Sequence, residues 1–197
     1  MRAPFDVSDD GDQPAVYGYG DPNGDFHVIG DHPGIHGGKT TGVPFTETES
    51  GERVQRLLRE TGFVTGPESE PTLENCFLSY VHLCTPRAGD SPDPAAYDRL
   101  ERFFDAELRA VNAHILLSVG SVATDRVLSE YTTQRSKVAL DMDRLHATEI
   151  RGRGFLVVPL ADPAEWSADQ ADRAKATITS ILGRDYRQTK GVATLVG

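Results

Sequence analysis

Short apolar segments alternate with amphipathic segments along most of this 197-residue chain. A short apolar segment bounded by glycine, proline or polar residues predicts a buried strand, and apolar residues at helical spacing predict an amphipathic helix. Strands separated by helices indicate parallel pairing with helices on both faces of the sheet. We therefore expect the α/β class, as a three-layer α/β/α sandwich with a central four-stranded parallel sheet. The strands are predicted at 26–31, 75–81, 114–120 and 155–160, and the helices at 50–62, 94–111, 121–131 and 167–182.

Capping residues mark the ends of the predicted helices. Ser50, Ser121 and Ser167 stand where an N-cap hydroxyl would accept a backbone N–H. Pro94 occupies the first position of the second helix, and Gly62 ends the first one. These residues set the predicted helix boundaries.

The length of the chain bounds its organisation. A chain of 197 residues lies in the usual range of one domain and is long enough to bury a sizeable core. We expect a single domain over 1–197, with loosely held ends at 1–15 and 184–197. No apolar run approaches the roughly eighteen residues of a membrane span, and the first residues lack the layout of a signal peptide. The expectation is a soluble, cytoplasmic monomer that does not bind membranes.

The charge balance is strongly acidic. Thirty acidic residues against twenty basic ones give a formal charge of -10, and only Lys39, Lys137, Lys175 and Lys190 are lysines. Such acidity alone argues against nucleic acid as a partner, because binding phosphates needs positive charge. An acidic, lysine-poor surface is also typical of proteins in very salty cytoplasms, where the Debye length falls to about 3 Å at 1 M salt. The net charge therefore does not exclude DNA.

Cysteine and histidine content limits the metal chemistry. Cys76 and Cys84 are the only cysteines, which excludes a disulfide scaffold and any four-thiolate metal or iron–sulfur site made by this chain alone. His32 and His36 are separated by proline and glycine, which prevents the helical presentation of a metal-binding pair. The sequence predicts neither a metal nor a cofactor.

The most unusual stretch follows the first predicted strand. Residues 26–45 read FHVIGDHPGIHGGKTTGVPF, so an acid, two histidines, and several glycines and prolines follow the strand directly. Ligands of such sheets bind at the carboxyl ends of the strands, which makes this stretch a candidate site. Gly38-Lys39-Thr40 superficially resembles the end of a phosphate loop, but Pro33 stands where that loop needs its first glycine. A nucleotide hydrolase is therefore not predicted.

Several motifs share their order and spacing with one known family. The first motif is Gly30-Asp31-His32-Pro33-Gly34, and Gly42-Val43-Pro44-Phe45 follows it. Tyr80 then lies four residues before Cys84-Thr85-Pro86-Arg87, HILLSVGSVATDRVL occupies 114–128, and Asp162-Pro163-Ala164 follows the last strand. This series resembles the uracil-DNA glycosylase superfamily, closest to the branch whose first motif reads Gly-Glu-Ala-Pro-Gly. The resemblance runs from residue 26 to about residue 182.

The resemblance implies a uracil-DNA glycosylase-like fold and a function in base excision repair. Such an enzyme flips one nucleotide out of the DNA and hydrolyses the N-glycosidic bond of a deaminated or damaged base. Glycine and proline let the DNA backbone approach closely, since side chains would block it and backbone N–H groups can meet phosphate oxygens. The implied site comprises catalytic Asp31, His32 and Asp162, base-binding Phe45 and Tyr80, and the DNA-backbone contacts Pro33, Gly34, Arg87 and Pro163.

The chain departs from the family pattern at several of these positions. Asp31 replaces a glutamate conservatively, and His32 replaces an alanine and can serve as a general base with an ordinary pKa of about 6.5. Tyr80 stands in place of the asparagine that reads the base edge in relatives, and Asp162 in place of the histidine that stabilises the departing base. Of the cysteines that hold an iron–sulfur cluster in that branch, only Cys84 has a counterpart, so the cluster is absent.

Each residue also has a purely structural interpretation. Phe45 can be a core aromatic, and Asp162 can begin a turn before the last helix. Tyr80 can cap the core with its ring and reach solvent with its hydroxyl. The histidines of the first motif can be loop residues bonded to the backbone. The alternative function is a catalytically inactive glycosylase-fold protein that serves as a nucleic-acid-binding or interaction module.

Overall fold

The computed structural model describes residues 15–67, 69–86, 91–152 and 154–186. The loosely held ends predicted at 1–15 and 184–197 fall almost wholly outside these residues. Among the residues that are described at the two ends, Ala15 forms an isolated antiparallel bridge with Cys84, and the Tyr186 ring packs edge-on against Phe26 at 5.4 Å.

One six-stranded sheet forms the centre of the described structure. The strands of the described chain are β1 (Tyr19–Gly20), β2 (Phe26–Gly30), β3 (Val64–Thr65), β4 (Thr72–Leu73), β5 (Cys76–Tyr80), β6 (Ile115–Val119), β7 (Ile150–Arg151) and β8 (Leu156–Leu160). The order of strands in the six-stranded sheet is β1-β5-β2-β6-β8-β7, and β3 and β4 form a separate hairpin. The four central strands β5, β2, β6 and β8 pair in parallel, which confirms the predicted four-stranded parallel sheet. The two-residue edge strands β1 and β7 pair antiparallel and were not predicted.

The helices follow the predicted alternation. They are α1 (Pro33–His36), α2 (Glu49–Glu60), α3 (Pro94–Val111), α4 (Ser121–Tyr131), α5 (Met142–Leu145) and α6 (Ala168–Leu182). Pro94 begins α3, and the Ser167 hydroxyl caps α6 as predicted, within a capping box that Gln170 completes.

Two predicted N-caps are wrong. Thr48, not Ser50, caps α2, because its hydroxyl accepts the Gly51 N–H at 3.1 Å, whereas Ser50 lies inside the helix. Gly120 precedes α4 without a side-chain cap, and Ser121 is the first helical residue. In these two helices, serine marked the region of the helix start but is not the capping residue, in contrast to Ser167 of α6.

Helices cover both faces of the sheet, as a three-layer sandwich requires. On one face, α2 and α6 pack through Leu58 and Ile178 against inward strand residues such as Val28. On the other, α3 and α4 pack through Leu108 and Leu128 against strand residues that alternate with the first set. Within the described chain, no helix combines the length and apolar character needed to cross a membrane.

Candidate active site

The candidate site lies at the carboxyl ends of β2, β5 and β8. Gly30, the last residue of β2, pairs with Tyr80, the last residue of β5, and Asp162 follows the end of β8 by two residues. A Cβ added at Gly30 would lie 2.8 Å from atoms of His36 and Phe45 and 2.9 Å from Tyr80. Glycine is therefore required where three rings meet.

The three rings form a buried aromatic cluster. The Phe45 ring centroid lies 5.3 Å from that of Tyr80 and 5.4 Å from that of His36, and Phe45 is 0% exposed. Its backbone N–H donates to the Tyr80 hydroxyl at 2.7 Å, and that hydroxyl donates to the Gly37 carbonyl at 3.1 Å. Phe45 thus sits in the core beside the Tyr80 ring, as the structural interpretation expected, but the Tyr80 hydroxyl is buried and does not reach solvent. Base binding by either residue stays a prediction.

Asp31 is a buried carboxylate at the end of β2. It is 6% exposed, and its Oδ1 accepts the hydroxyl of Tyr97, a residue of α3, at 2.5 Å. Burial raises the pKa of Asp31 to about 6, against the opposing effect of the Tyr97 hydrogen bond. A carboxylate with this pKa is mostly ionised at neutral pH and still able to accept a proton.

His32 is buried as well and caps the one-turn helix α1. Its Nδ1 accepts the Gly34 N–H at 3.0 Å, while Nε2 is buried and has no hydrogen-bond partner among the described residues. Burial, helped by the nearby His36, His82 and Lys39, lowers the pKa of His32 to about 4. His32 is therefore neutral at pH 7.

Asp162 connects to the first motif through Ser50. Its Oδ1 accepts the Ala164 N–H at 3.0 Å, so Asp162 begins a short 3-10 turn at Pro163–Glu165. The Ser50 hydroxyl lies 3.5 Å from the same oxygen and 2.9 Å from Nδ1 of His36. Burial lowers the pKa of His36 to about 4, although Asp162 opposes this shift.

The glycine-rich loop between α1 and α2 binds one of its own carboxylates. The Glu47 side chain accepts the Thr40 N–H at 3.1 Å and the Thr41 N–H at 2.8 Å. Glu47 itself has a positive φ of 71°. The backbone N–H groups of Thr40 and Thr41, which the sequence suggested could bind a DNA phosphate, are therefore already bonded to the Glu47 carboxylate.

The predicted DNA-backbone contacts differ in exposure. Gly34 is exposed on α1, whereas Pro33 and Pro163 are buried. Arg87 lies outside the described residues. No group of three or more histidine, cysteine or acidic side chains placed to hold a metal occurs in the described part of the chain.

Sequence reasoning missed Tyr97 and Glu47 and assigned Ser50 only a capping role. Tyr97 lies on the apolar face of a predicted helix, where its spacing indicates packing but not a hydrogen bond to Asp31. The only sequence pattern that indicates the role of Glu47 is the glycine-rich loop before it, whose backbone N–H groups can bind a carboxylate.

Comparisons with known proteins place the sequence in one family. A family model described as the uracil DNA glycosylase superfamily matches residues 17–182. A type-5 uracil-DNA glycosylase of Thermus thermophilus is 30% identical over 126 residues, which cover 61% of this chain and 57% of that protein. A type-5 uracil-DNA glycosylase of Mycobacterium tuberculosis is 29% identical over 114 residues, which cover 55% of this chain and 42% of that protein. The chain thus spans about half the length of the curated relatives it matches.

Proposed function

Because the chain belongs to the uracil-DNA glycosylase superfamily, we propose that it hydrolyses the N-glycosidic bond of a deaminated base, uracil first, in DNA. The type-5 uracil-DNA glycosylases to which it is similar support this reaction class. The observation that carries the proposal is Asp31, a buried carboxylate at the strand end where ligands of parallel sheets bind. Its pKa, raised to about 6 by burial, suits proton transfer near neutral pH.

Hydrolysis separates the base from the sugar in two events. The bond between C1′ of the deoxyribose and the base nitrogen breaks, and its electron pair leaves with the base. Water then bonds to C1′ while its proton passes to the Asp31 carboxylate, where Oδ1 already accepts the Tyr97 hydroxyl and Oδ2 takes the proton. The base anion receives a proton from solvent. The products are the free base and an abasic sugar with a hydroxyl on C1′.

The aromatic cluster supplies the proposed wall of the base site. Phe45 and Tyr80 meet beside Gly30, the residue before Asp31, and both rings are buried, so a base would contact them only after the glycine-rich loop moves aside. The contact between base and aromatic ring is worth about 1–3 kcal/mol and is tolerant of base identity. Selection of uracil then falls to hydrogen-bonding groups around the cluster.

A cleavage assay tests the proposal. Single-stranded and duplex oligonucleotides carrying uracil, hypoxanthine or xanthine are incubated with the protein at low and at molar salt, and abasic sites are detected by alkaline strand cleavage. We expect abasic product with uracil, and at least a 100-fold slower reaction in Asp31→Asn. Asp169→Asn is the matched control, because Asp169 is an exposed acid in the first turn of α6. Absence of abasic product from every base would refute the enzyme and favour the binding module.

A further inference from the structure

The hydrogen bonding of His32 fixes which of its ring nitrogens carries the proton. A backbone amide can only donate, and the Gly34 N–H lies 3.0 Å from Nδ1, so Nδ1 presents its lone pair. In a neutral imidazole the proton must then sit on the other nitrogen. The cap of α1 thus turns Nε2 into a hydrogen-bond donor.

This donor is buried and unmatched. His32 is 2% exposed, and Nε2 has no hydrogen-bond partner among the described residues. A buried donor without an acceptor costs about 1–3 kcal/mol, and such groups in folded proteins cluster where a ligand completes them. The groups around His32 are His36 on its own helix, Lys39 in the glycine-rich loop and His82 after β5, and all of them disfavour a positive charge on the ring. The imidazole is therefore held neutral, with a buried N–H that no described residue accepts.

We propose that the Nε2–H of His32 donates a hydrogen bond to a carbonyl oxygen of the extruded base and stabilises the negative charge that develops there as the base departs. This inference rests on the proposed glycosylase function. The proton stays on Nε2 throughout, and the electron pair of the broken C1′–N bond spreads over the base and its carbonyl oxygen. A fixed neutral donor aimed at developing charge stabilises a transition state without any proton transfer.

The assignment changes the chemistry expected of His32. The sequence indicated a general base, but a base needs a free lone pair, and the only lone pair of this ring is used by the Gly34 N–H. As a donor, His32 can also stabilise the departing base, which Asp162 is poorly suited to do. Asp162 accepts from the Ala164 N–H and stands beside the Ser50 hydroxyl, so it is an acceptor and not a donor.

Two substitutions separate the donor from the cap. Asparagine at position 32 places an oxygen near Nδ1, so His32→Asn keeps the cap of α1 and loses the donor. Glutamine reaches about as far as Nε2, so His32→Gln keeps an N–H donor and loses the cap. We expect the single-turnover rate on a uracil oligonucleotide to fall about 10²–10³-fold in His32→Asn, as for the loss of one oxyanion donor, and less than tenfold in His32→Gln.

Thermal stability must show the opposite order if the two roles are distinct. We expect His32→Asn to melt close to the wild type and His32→Gln to melt lower. A loss of less than tenfold in His32→Asn, or equal losses of rate in the two variants, would overturn the proposal.

Nitrogen NMR of the histidine ring gives a readout independent of turnover. We expect protonated Nε2 and unprotonated Nδ1 for His32 at pH 7, and a shift of the Nε2 proton when an oligonucleotide with 2′-fluoro-2′-deoxyuridine binds, but not with one carrying thymidine alone. A proton on Nδ1, or no shift with the bound uracil analogue, would overturn the proposal. If the wild type forms no abasic product, the glycosylase function fails, and this shift still decides whether Nε2 contacts the base.

Discussion

The Tyr80 hydroxyl holds the glycine-rich loop against the sheet, and its removal gives a sharp test of the site's construction. This hydroxyl accepts the Phe45 N–H at 2.7 Å and donates to the Gly37 carbonyl at 3.1 Å, so it joins two points of the loop that lie eight residues apart to the end of β5. Tyr80→Phe keeps the ring and its packing but deletes both hydrogen bonds.

The magnitude follows from the burial of the groups left behind. The Phe45 N–H is buried and would lose the one acceptor that it has among the described residues, which costs about 1–3 kcal/mol. The bond to the Gly37 carbonyl contributes about 1 kcal/mol more. Phe45 has a positive φ of 61°, and a loop released from Tyr80 can relax that strain in partial compensation. We expect the free energy of unfolding to fall by about 2–4 kcal/mol.

Urea denaturation measures this loss, with Tyr17→Phe as the control. Tyr17 is 45% exposed, so removing its hydroxyl should change stability by less than about 0.5 kcal/mol. The ratio of cleavage rates for uracil and thymine is measured on the same variants. If Tyr80→Phe is as stable as the wild type and that ratio changes, the hydroxyl reads the base and does not hold the loop.

Three further outcomes are expected. The single-turnover rate of the wild type should fall as pH decreases through about 6, because the active form of Asp31 is the carboxylate and burial raises its pKa to about 6. This fall in rate at acidic pH should be absent in Asp31→Asn. A fall centred near pH 4 in the wild type would contradict the assignment. Gly30→Ala should lower the free energy of unfolding by about 1–3 kcal/mol, since the added methyl would lie 2.8 Å from the His36 and Phe45 rings. Gly183→Ala is its control, because that methyl would lie 3.5 Å from its nearest neighbour at an ordinary φ of -77°, and equal effects in the two variants would refute the crowding. Glu47→Ala should make the Thr40 and Thr41 amide hydrogens exchange several-fold faster with deuterium, because it removes the carboxylate that binds both, and unchanged exchange would show that the loop holds its shape without it.

The alternation of strands and helices could be predicted because it depends on patterns local to each segment. The four parallel strands are five-residue runs of mostly apolar residues, nearly all of them buried, and that pattern is strong. The edge strand at Tyr19–Gly20 contains only two residues and pairs with β5 across more than fifty positions of sequence, so no local pattern marks it. Serine near a helix start indicated the boundary, but the choice between Thr48 and Ser50 depends on which side chain the rest of the fold buries.

The sequence predicted where the residues of the candidate site lie along the chain, but not which side chains and backbone groups they contact. Resemblance placed Asp31, Phe45, Tyr80 and Asp162 at strand ends or in the loops beside them, and the structure has them there. The state of His32 could not be predicted, because its tautomer depends on a hydrogen bond to Gly34 and its neutrality on burial. Likewise, the role of Tyr97 depends on how α3 packs across the carboxyl end of β2.

The hydrogen bond between Ser50 and Asp162 spans 112 positions of the chain, and the one between Tyr97 and Asp31 spans 66. Contacts this distant in sequence form late, since closing long loops must precede them. A nascent chain that has emerged only as far as β6 therefore carries the whole glycine-rich loop but not the acid that faces its serine. The candidate site is therefore complete only once β8 pairs with β6, because Asp162 follows the end of β8.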